Sequence, residues 1–124
     1  QDKLEPVLRQ SQDRRKELEE FIFAIQKRIE TEDMYARNID ATGKLLDRFI
    51  QERKSLLLIQ PISLTYSAFK ADHSHRAEQA RVLAQSLRDE VLDMLRECLN
   101  SQNNEYKKLE KDARKYDKDM QAYL

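Results

Sequence analysis

The sequence has 124 residues, and its 23 Lys plus Arg balance 23 Asp plus Glu, so 37% of the chain is charged while the net charge is zero. It contains one Gly and two Pro, where average usage would supply about fifteen such residues. Because sheets need frequent turns, this composition excludes β-sandwiches, βαβ folds and Gly-rich phosphate loops, and it predicts an all-α chain of long helices.

Simple features of the sequence argue against a membrane-spanning, a secreted and a nucleic-acid-binding protein. The longest apolar runs, Phe21 to Ile25 and Leu56 to Ile59, are far shorter than the ~20 residues that span a bilayer. The start of the chain lacks a basic-then-apolar secretory signal, and one cysteine, Cys98, cannot build a disulfide framework, so we expect a cytoplasmic protein. Zero net charge argues against bulk attraction to nucleic acid, and no nucleic-acid partner is expected.

The first predicted helix runs from about residue 4 to 58, because apolar residues recur there at intervals of three and four or their sums. This stripe comprises Leu4, Leu8, Leu18, Ile22, Ile25, Ile29, Ala36, Ile39, Leu46, Ile50 and Leu57. A second apolar line at multiples of seven residues comprises Val7, Phe21, Tyr35, Phe49 and Leu56. Polar residues interrupt the stripe between Ser11 and Arg15, which allows a break in the helix there. Gly43, at a stripe position, predicts the close approach of another helix.

A turn at about residues 59–64 is predicted by Pro61, which removes a helical donor and disfavours the α conformation at the preceding residue. Ser63 or Thr65 can then cap a second helix over about residues 65–124. Its stripe reads Tyr66, Phe69, Ala77, Ala80, Ala84, Leu87, Val91, Leu95, Cys98, Tyr106, Leu109, Ala113, Tyr116, Met120 and Tyr123. This pattern predicts a buried, inert Cys98, and an eleven-residue spacing between Ala80 and Ala113 predicts nearly straight helices.

Two such helices, each ~80 to 90 Å long at 1.5 Å per residue, predict an antiparallel helical hairpin with no globular core. One hairpin covers only one side of each stripe, so the second apolar line needs a further helix. We therefore expect an elongated, coiled-coil-like homodimer.

Basic residues near the end of the chain form the clearest candidate binding surface. The cations on the second helix are Lys107, Lys108, Lys111, Arg114, Lys115 and Lys118, and Arg37, Lys44 and Arg48 form a weaker group on the first. At 100° per residue, four of the six form a ridge opposite the apolar stripe. Each cation near an anionic leaflet contributes about 1 kcal/mol. A solvated face with intrahelical ion pairs is the alternative interpretation.

Catalysis is not predicted. His73 and His75 are two residues apart and diverge by about 200° on a helix, so they cannot share one metal or one base role. We expect neither an enzyme nor a cofactor or metal site.

The segment 27–37 resembles the "E-R-x-x-x-E-x-x-Y-A-K" signature of the F-BAR domain through Arg28, Glu32, Tyr35, Ala36 and Arg37. The resemblance covers most of the chain, and residues 1–124 are assigned to a partial F-BAR domain, about the first half of a typical one. The four-residue spacing predicts an ion pair between Arg28 and Glu32. The residues assigned to the core and dimer contact are Arg28, Glu32, Tyr35, Phe21, Ile25 and Ile39.

The resemblance implies a crescent-shaped antiparallel dimer that binds phosphatidylserine or phosphoinositides and senses or shapes membrane curvature. It also assigns the basic groups of the two helices to lipid binding. It also implies a peripheral position at the inner face of the plasma membrane, with links to actin-regulatory proteins, the cytoskeleton, endocytosis or cytokinesis. The rival hypothesis is a coiled-coil tether between proteins that does not bind lipid.

Overall fold

The structure, a computed structural model, describes residues 4–124, so the first three residues of the predicted domain lie outside the described part. The described chain is helical almost throughout, in five segments. These are α1 (Leu4–Glu52), a 3₁₀ helix (Lys54–Leu58), α2 (Gln60–Ser86), a π-helical segment (Leu87–Leu92) and α3 (Asp93–Tyr123). No strand occurs among residues 4–124, which confirms the predicted all-α class with long helices.

The junction between the first two long helices differs from the prediction. Helix α1 ends at Glu52 instead of about residue 58, and α2 begins at Gln60 instead of about residue 65. Pro61 lies in the first turn of α2, where its missing N–H costs no hydrogen bond. The proline therefore begins the helix, and the break falls in the residues before it.

The predicted caps of the second helix are also wrong. Ile59, which has extended backbone angles, directly precedes α2, and no side chain caps the start of this helix. Ser63 and Thr65 lie inside α2, and the Thr65 hydroxyl donates a 2.8 Å hydrogen bond to the carbonyl of Pro61. Ser63 and Thr65 lie inside the helix because α2 begins beside Pro61, earlier in the chain than predicted.

Helix α1 continues without a break through the polar stretch from Ser11 to Arg15. Ser11 is 4% exposed, and the Arg15 guanidinium lies 4.4 Å from the centre of the Tyr106 ring while donating a 2.7 Å hydrogen bond to Asn103. Ser11 and Arg15 thus pack at positions where the apolar stripe lapses. Arg15 can do so because the stem of an arginine side chain packs as an apolar group.

The chain divides into two units. The terminal unit contains the described residues up to Gln26 together with Asp89–Leu124, and the middle unit contains Lys27–Arg88. In the middle unit the buried residues are Ile29, Ala36, Ile50, Ala77, Ala80 and Ala84, and in the terminal unit they are Ser11, Ile22 and Leu92. Small alanines dominate the α2 side of the middle unit, and two of them, Ala77 and Ala84, are 0% exposed.

Several of the buried residues are spaced by seven, and one step in the second half of the chain is longer by one residue. In α1, Ile22, Ile29 and Ala36 are spaced by seven, but in the second half of the chain Leu92 follows Ala84 by eight. A π-helical turn accommodates one extra residue within an α-helix, and the segment Leu87–Leu92 lies at this point. The eight-residue step therefore falls in one short segment.

The extra residue changes which side chains are buried after it. Leu99 is partly buried, whereas Cys98 is exposed. The prediction of a buried Cys98 is wrong because steps of seven from Ala84 through Val91 reach Cys98, whereas the extra residue moves the burial to Leu92 and Leu99. The predicted stripe residues Tyr106, Leu109 and Ala113 are partly buried.

Candidate lipid-binding surface

All six cations that the sequence predicts for lipid binding on α3 are exposed. They lie within the twelve residues from Lys107 to Lys118, where the helix places every third or fourth residue on the same side. Leu109 and Ala113, on the apolar stripe of this helix, are partly buried. The α-helical period thus separates a basic face from an apolar one in this part of α3.

Acidic residues accompany this basic face. Arg114 donates a 3.1 Å hydrogen bond to the Glu110 carboxylate, and the Arg114 side chain remains 79% exposed. Glu105, Asp112 and Asp119 are exposed as well. An exposed pair of this kind is worth at most about 1 kcal/mol, so Glu110 holds Arg114 only weakly.

The three cations predicted on α1 belong to the middle unit. Arg37, Lys44 and Arg48 are all exposed. Lys44 also lines a shallow groove with Gly43, Lys70, His73 and Ser74. Lipid binding by all nine cations stays a prediction.

Other arginines of the middle unit are engaged in ion pairs that the sequence reading missed. Arg88 donates to Asp33 and Arg81 donates to Asp40, while the ammonium group of Lys70 lies 3.8 Å from Asp47. The three acids are spaced by seven residues along α1, and we name this set of contacts the ion-pair ladder. Acids in a seven-residue repeat beside the apolar stripe were the signal that could have revealed it.

Two ionisable groups of the middle unit have shifted pKa values. The hydrogen bond that Tyr66 donates to Asp47 raises the pKa of its phenol, and desolvation and the negative charge of Asp47 act in the same direction. The Asp72 carboxylate raises the pKa of Arg76, with a further contribution from Tyr35. Both pKa values lie well above neutral pH even before they are raised, so neither shift changes the protonation state of its group near neutral pH.

The ion pair predicted between Arg28 and Glu32 is present, with a separation of 2.8 Å between Nε and Oε1. The Glu32 side chain is 16% exposed and the Arg28 side chain is 59% exposed. The pair is therefore half-buried, with its carboxylate on the more enclosed side. Of the remaining signature and core residues, Ile25 and Ile39 are partly buried.

Large apolar side chains stay exposed along the second apolar line. In the terminal unit Val7 is 43% exposed and Phe21 is 54% exposed, and in the middle unit Tyr35 is 40% exposed and Phe49 is 44% exposed. Phe21 also lines an open cleft with Leu18, Leu95, Cys98 and Gln102. Within each unit, α1 thus presents apolar surface that the rest of that unit does not cover.

Comparison with known proteins identifies no relative: no family model, no curated protein and no solved structure matches the chain. None of the helices described has both the length and the apolar character needed to cross a bilayer. Within residues 4–124, no three His, Cys, Asp or Glu side chains are grouped so that they could hold a metal ion.

Proposed function

We propose that this chain is a dimeric helical scaffold module that binds anionic phospholipid surfaces and senses or shapes their curvature. The observation that carries the proposal is the exposure of all nine assigned cations, while Arg81 and Arg88 are held by acids of α1. Exposed lysines and arginines can reach lipid phosphates, and their effect on membrane binding adds up along a surface.

An antiparallel helical hairpin is the architecture that we propose for each copy. The order of contacts in the ion-pair ladder supports it: Asp33 pairs with Arg88, Asp40 with Arg81 and Asp47 with Lys70. As the residue number rises on α1, the partner's number falls. Contacts in this order are those of two helices that run in opposite directions.

A homodimer is the proposed assembly because the two flanks of α1 differ. The ion-pair ladder occupies one flank of its buried stripe in the middle unit, whereas Tyr35 and Phe49 lie exposed at other positions of the repeat. Exposed apolar residues in a seven-residue repeat favour a second helix as their cover. Phe21 repeats the pattern in the terminal unit.

The resemblance to the F-BAR signature gives the proposal its biological setting. The half-buried pair of Arg28 with Glu32 and the neighbouring Tyr35 are the signature residues, and a buried carboxylate in a pair penalises wrong registers. We propose the first half of an F-BAR module, peripheral at the inner face of the plasma membrane. Actin regulation, endocytosis or cytokinesis are the processes that this setting suggests.

Co-sedimentation with vesicles tests lipid binding. Binding to vesicles of equal parts phosphatidylcholine and phosphatidylserine should fall steeply when Lys107, Lys111 and Arg114 are replaced by Glu. A matched variant replaces Arg9, Lys16 and Arg96, which are also exposed but outside the assigned set, and it changes the net charge equally. Equal binding by the two variants would remove the assignment of the lipid-binding surface.

The acids beside the α3 cations favour a second candidate, a coiled-coil tether between proteins. Glu110 already neutralises Arg114, and Glu105 and Asp112 are exposed nearby. A tether predicts no dependence on phosphatidylserine and no difference between the two triple variants. Light scattering addresses the shared feature of both candidates, since a stable monomer at micromolar concentration would contradict the dimer.

A further inference from the structure

The junction between α1 and α2 carries the two most exposed large apolar side chains of the middle unit, Leu58 and Leu64, with Ile59 exposed beside them. Leu58 is 87% exposed, Leu64 is 63% exposed and Ile59 is 49% exposed. These residues lie within seven positions of one another, at the end of the 3₁₀ helix and in the first turns of α2. We call them the junction patch.

The junction patch does not belong to the predicted dimer contact. The second apolar line passes through Phe49 and Leu56 at seven-residue spacing, and Leu58, Ile59 and Leu64 fall outside it. Leu56 and Leu57 are partly buried, whereas Leu58 points largely into solvent. A further occupant is therefore needed to cover the patch.

The stretch of sequence that contains the patch carries basic residues and no acidic ones. Residues 53–71 form the longest stretch of the sequence without Asp or Glu, and this stretch contains Arg53, Lys54 and Lys70. Lys54 is exposed, and the Arg53 guanidinium lies 4.0 Å from the centre of the Phe49 ring, with a Glu52 oxygen 3.5 Å away. Arg53 and Lys70 thus have acidic partners, Glu52 and Asp47, that lie just outside this stretch. Exposed leucines beside the exposed Lys54, in a stretch that supplies no acid of its own, match the boundary between anionic headgroups and acyl chains.

A second copy of the chain is a poorer occupant. In a two-fold symmetric contact centred on the patch, the patch meets its own copy, and residues 53–71 contain no acid that could pair with Lys54 there. We infer that the junction patch inserts into an anionic bilayer, with Leu58 and Leu64 in the acyl boundary and Lys54 at the headgroups. This inference rests on the proposed function, because it adds the insertion of apolar side chains to a membrane contact that is made by cations.

Tryptophan fluorescence tests the insertion, because the sequence contains no Trp. Leu58→Trp places a single reporter in the patch, and Met94→Trp places the matched control at a residue that is 59% exposed, between Glu90 and Glu97 on neighbouring turns. On phosphatidylserine vesicles, emission from the Leu58→Trp chain should shift to shorter wavelength and become protected from iodide, while the control stays accessible. Circular dichroism establishes that both variants keep their helix content.

Loss of affinity supplies a second readout. Leu58→Ser should weaken vesicle binding about tenfold, the effect of keeping one leucine out of the acyl region, while Met94→Ser should leave it unchanged. Leu58 is nearly fully exposed, so its replacement leaves the packing of the chain intact.

The outcomes separate this inference from the proposed function. Vesicle binding with an accessible Trp at position 58 overturns the insertion and leaves the lipid-binding proposal standing. Absence of binding by the unsubstituted chain overturns both. Protection of the reporter that rises with protein concentration, in the absence of vesicles, assigns the patch to a second copy and also overturns the insertion.

Discussion

Arg81 of α2 donates to the carboxylate of Asp40 on α1, and seven residues later in the chain Arg88, in the π-helical segment, donates to Asp33, seven residues earlier on α1. The repetition of one contact at the seven-residue interval indicates that α1 and α2 meet through a regular repeat within the middle unit. It also separates arginines that hold helices together from the exposed cations assigned to lipid.

The pair formed by Asp40 and Arg81 should contribute modestly to stability. Their side chains are 42% and 46% exposed, so we expect a coupling free energy of about 0.5 kcal/mol, as for other partly exposed ion pairs. A double-mutant cycle with Asp40→Asn and Arg81→Gln in urea denaturation measures it, and raising the salt concentration should reduce it. A cycle of Arg81→Gln with Arg37→Gln serves as control and should show no coupling.

Ala77 should not tolerate a larger side chain. It is 0% exposed, so Ala77→Leu is expected to lower the free energy of unfolding by about 1–3 kcal/mol through overpacking. The matched variant is Ala71→Leu in the same helix, where the side chain is exposed and the change should stay within about 0.5 kcal/mol. Equal effects in thermal denaturation would contradict the packing described for α2.

Gly43→Ala should stabilise the chain. A methyl group at Gly43 would meet its nearest neighbour, the Cβ of His73, at 4.0 Å, an ordinary van der Waals contact. Replacing a mid-helix glycine by alanine then gains about 1 kcal/mol from backbone entropy. A decrease in the denaturation midpoint would instead indicate that a further chain approaches Gly43 more closely than His73 does.

Tyr66 should make stability depend on alkaline pH. Its phenol pKa is raised above 10.0 in the folded chain, first by the hydrogen bond to Asp47 and then by desolvation and the charge of Asp47. The folded state therefore holds this proton more tightly than the unfolded state, so the contribution is complete below pH 10 and is lost as pH rises through the folded pKa. The melting temperature of the unsubstituted chain should fall more steeply above that pH than that of Tyr66→Phe.

Tyr66→Phe leaves Asp47 beside Lys70, at 3.8 Å, so the carboxylate keeps a partner. Tyr123→Phe is the control, since Tyr123 is 90% exposed and should reproduce the alkaline loss of the unsubstituted chain. Parallel melting curves for the chain and Tyr66→Phe above pH 10 would contradict the contribution of this hydrogen bond.

Much of the fold is visible in the sequence because helical periodicity is a local property. The recurrence of Ile22, Ile29 and Ala36 predicts a helix with one buried stripe, and these residues are buried. The same local rule places the α3 cations on an exposed face. Pro61 was recognised as a boundary, but whether a proline ends one helix or begins the next depends on where its neighbours pack.

Composition and periodicity alone specify a nearly all-helical chain with an apolar stripe and exposed cations, because each residue's position on a helix follows from counting along the chain. Only the tertiary structure decides the ion-pair ladder, the burial of Ser11, the packing of Arg15 on Tyr106 and the exposure of Cys98. These features depend on residues distant in sequence, and one extra residue in Leu87–Leu92 changes which side chains are buried after it. A stripe read at constant spacing cannot detect such a shift, since the π-helical turn forms where side-chain packing makes it favourable.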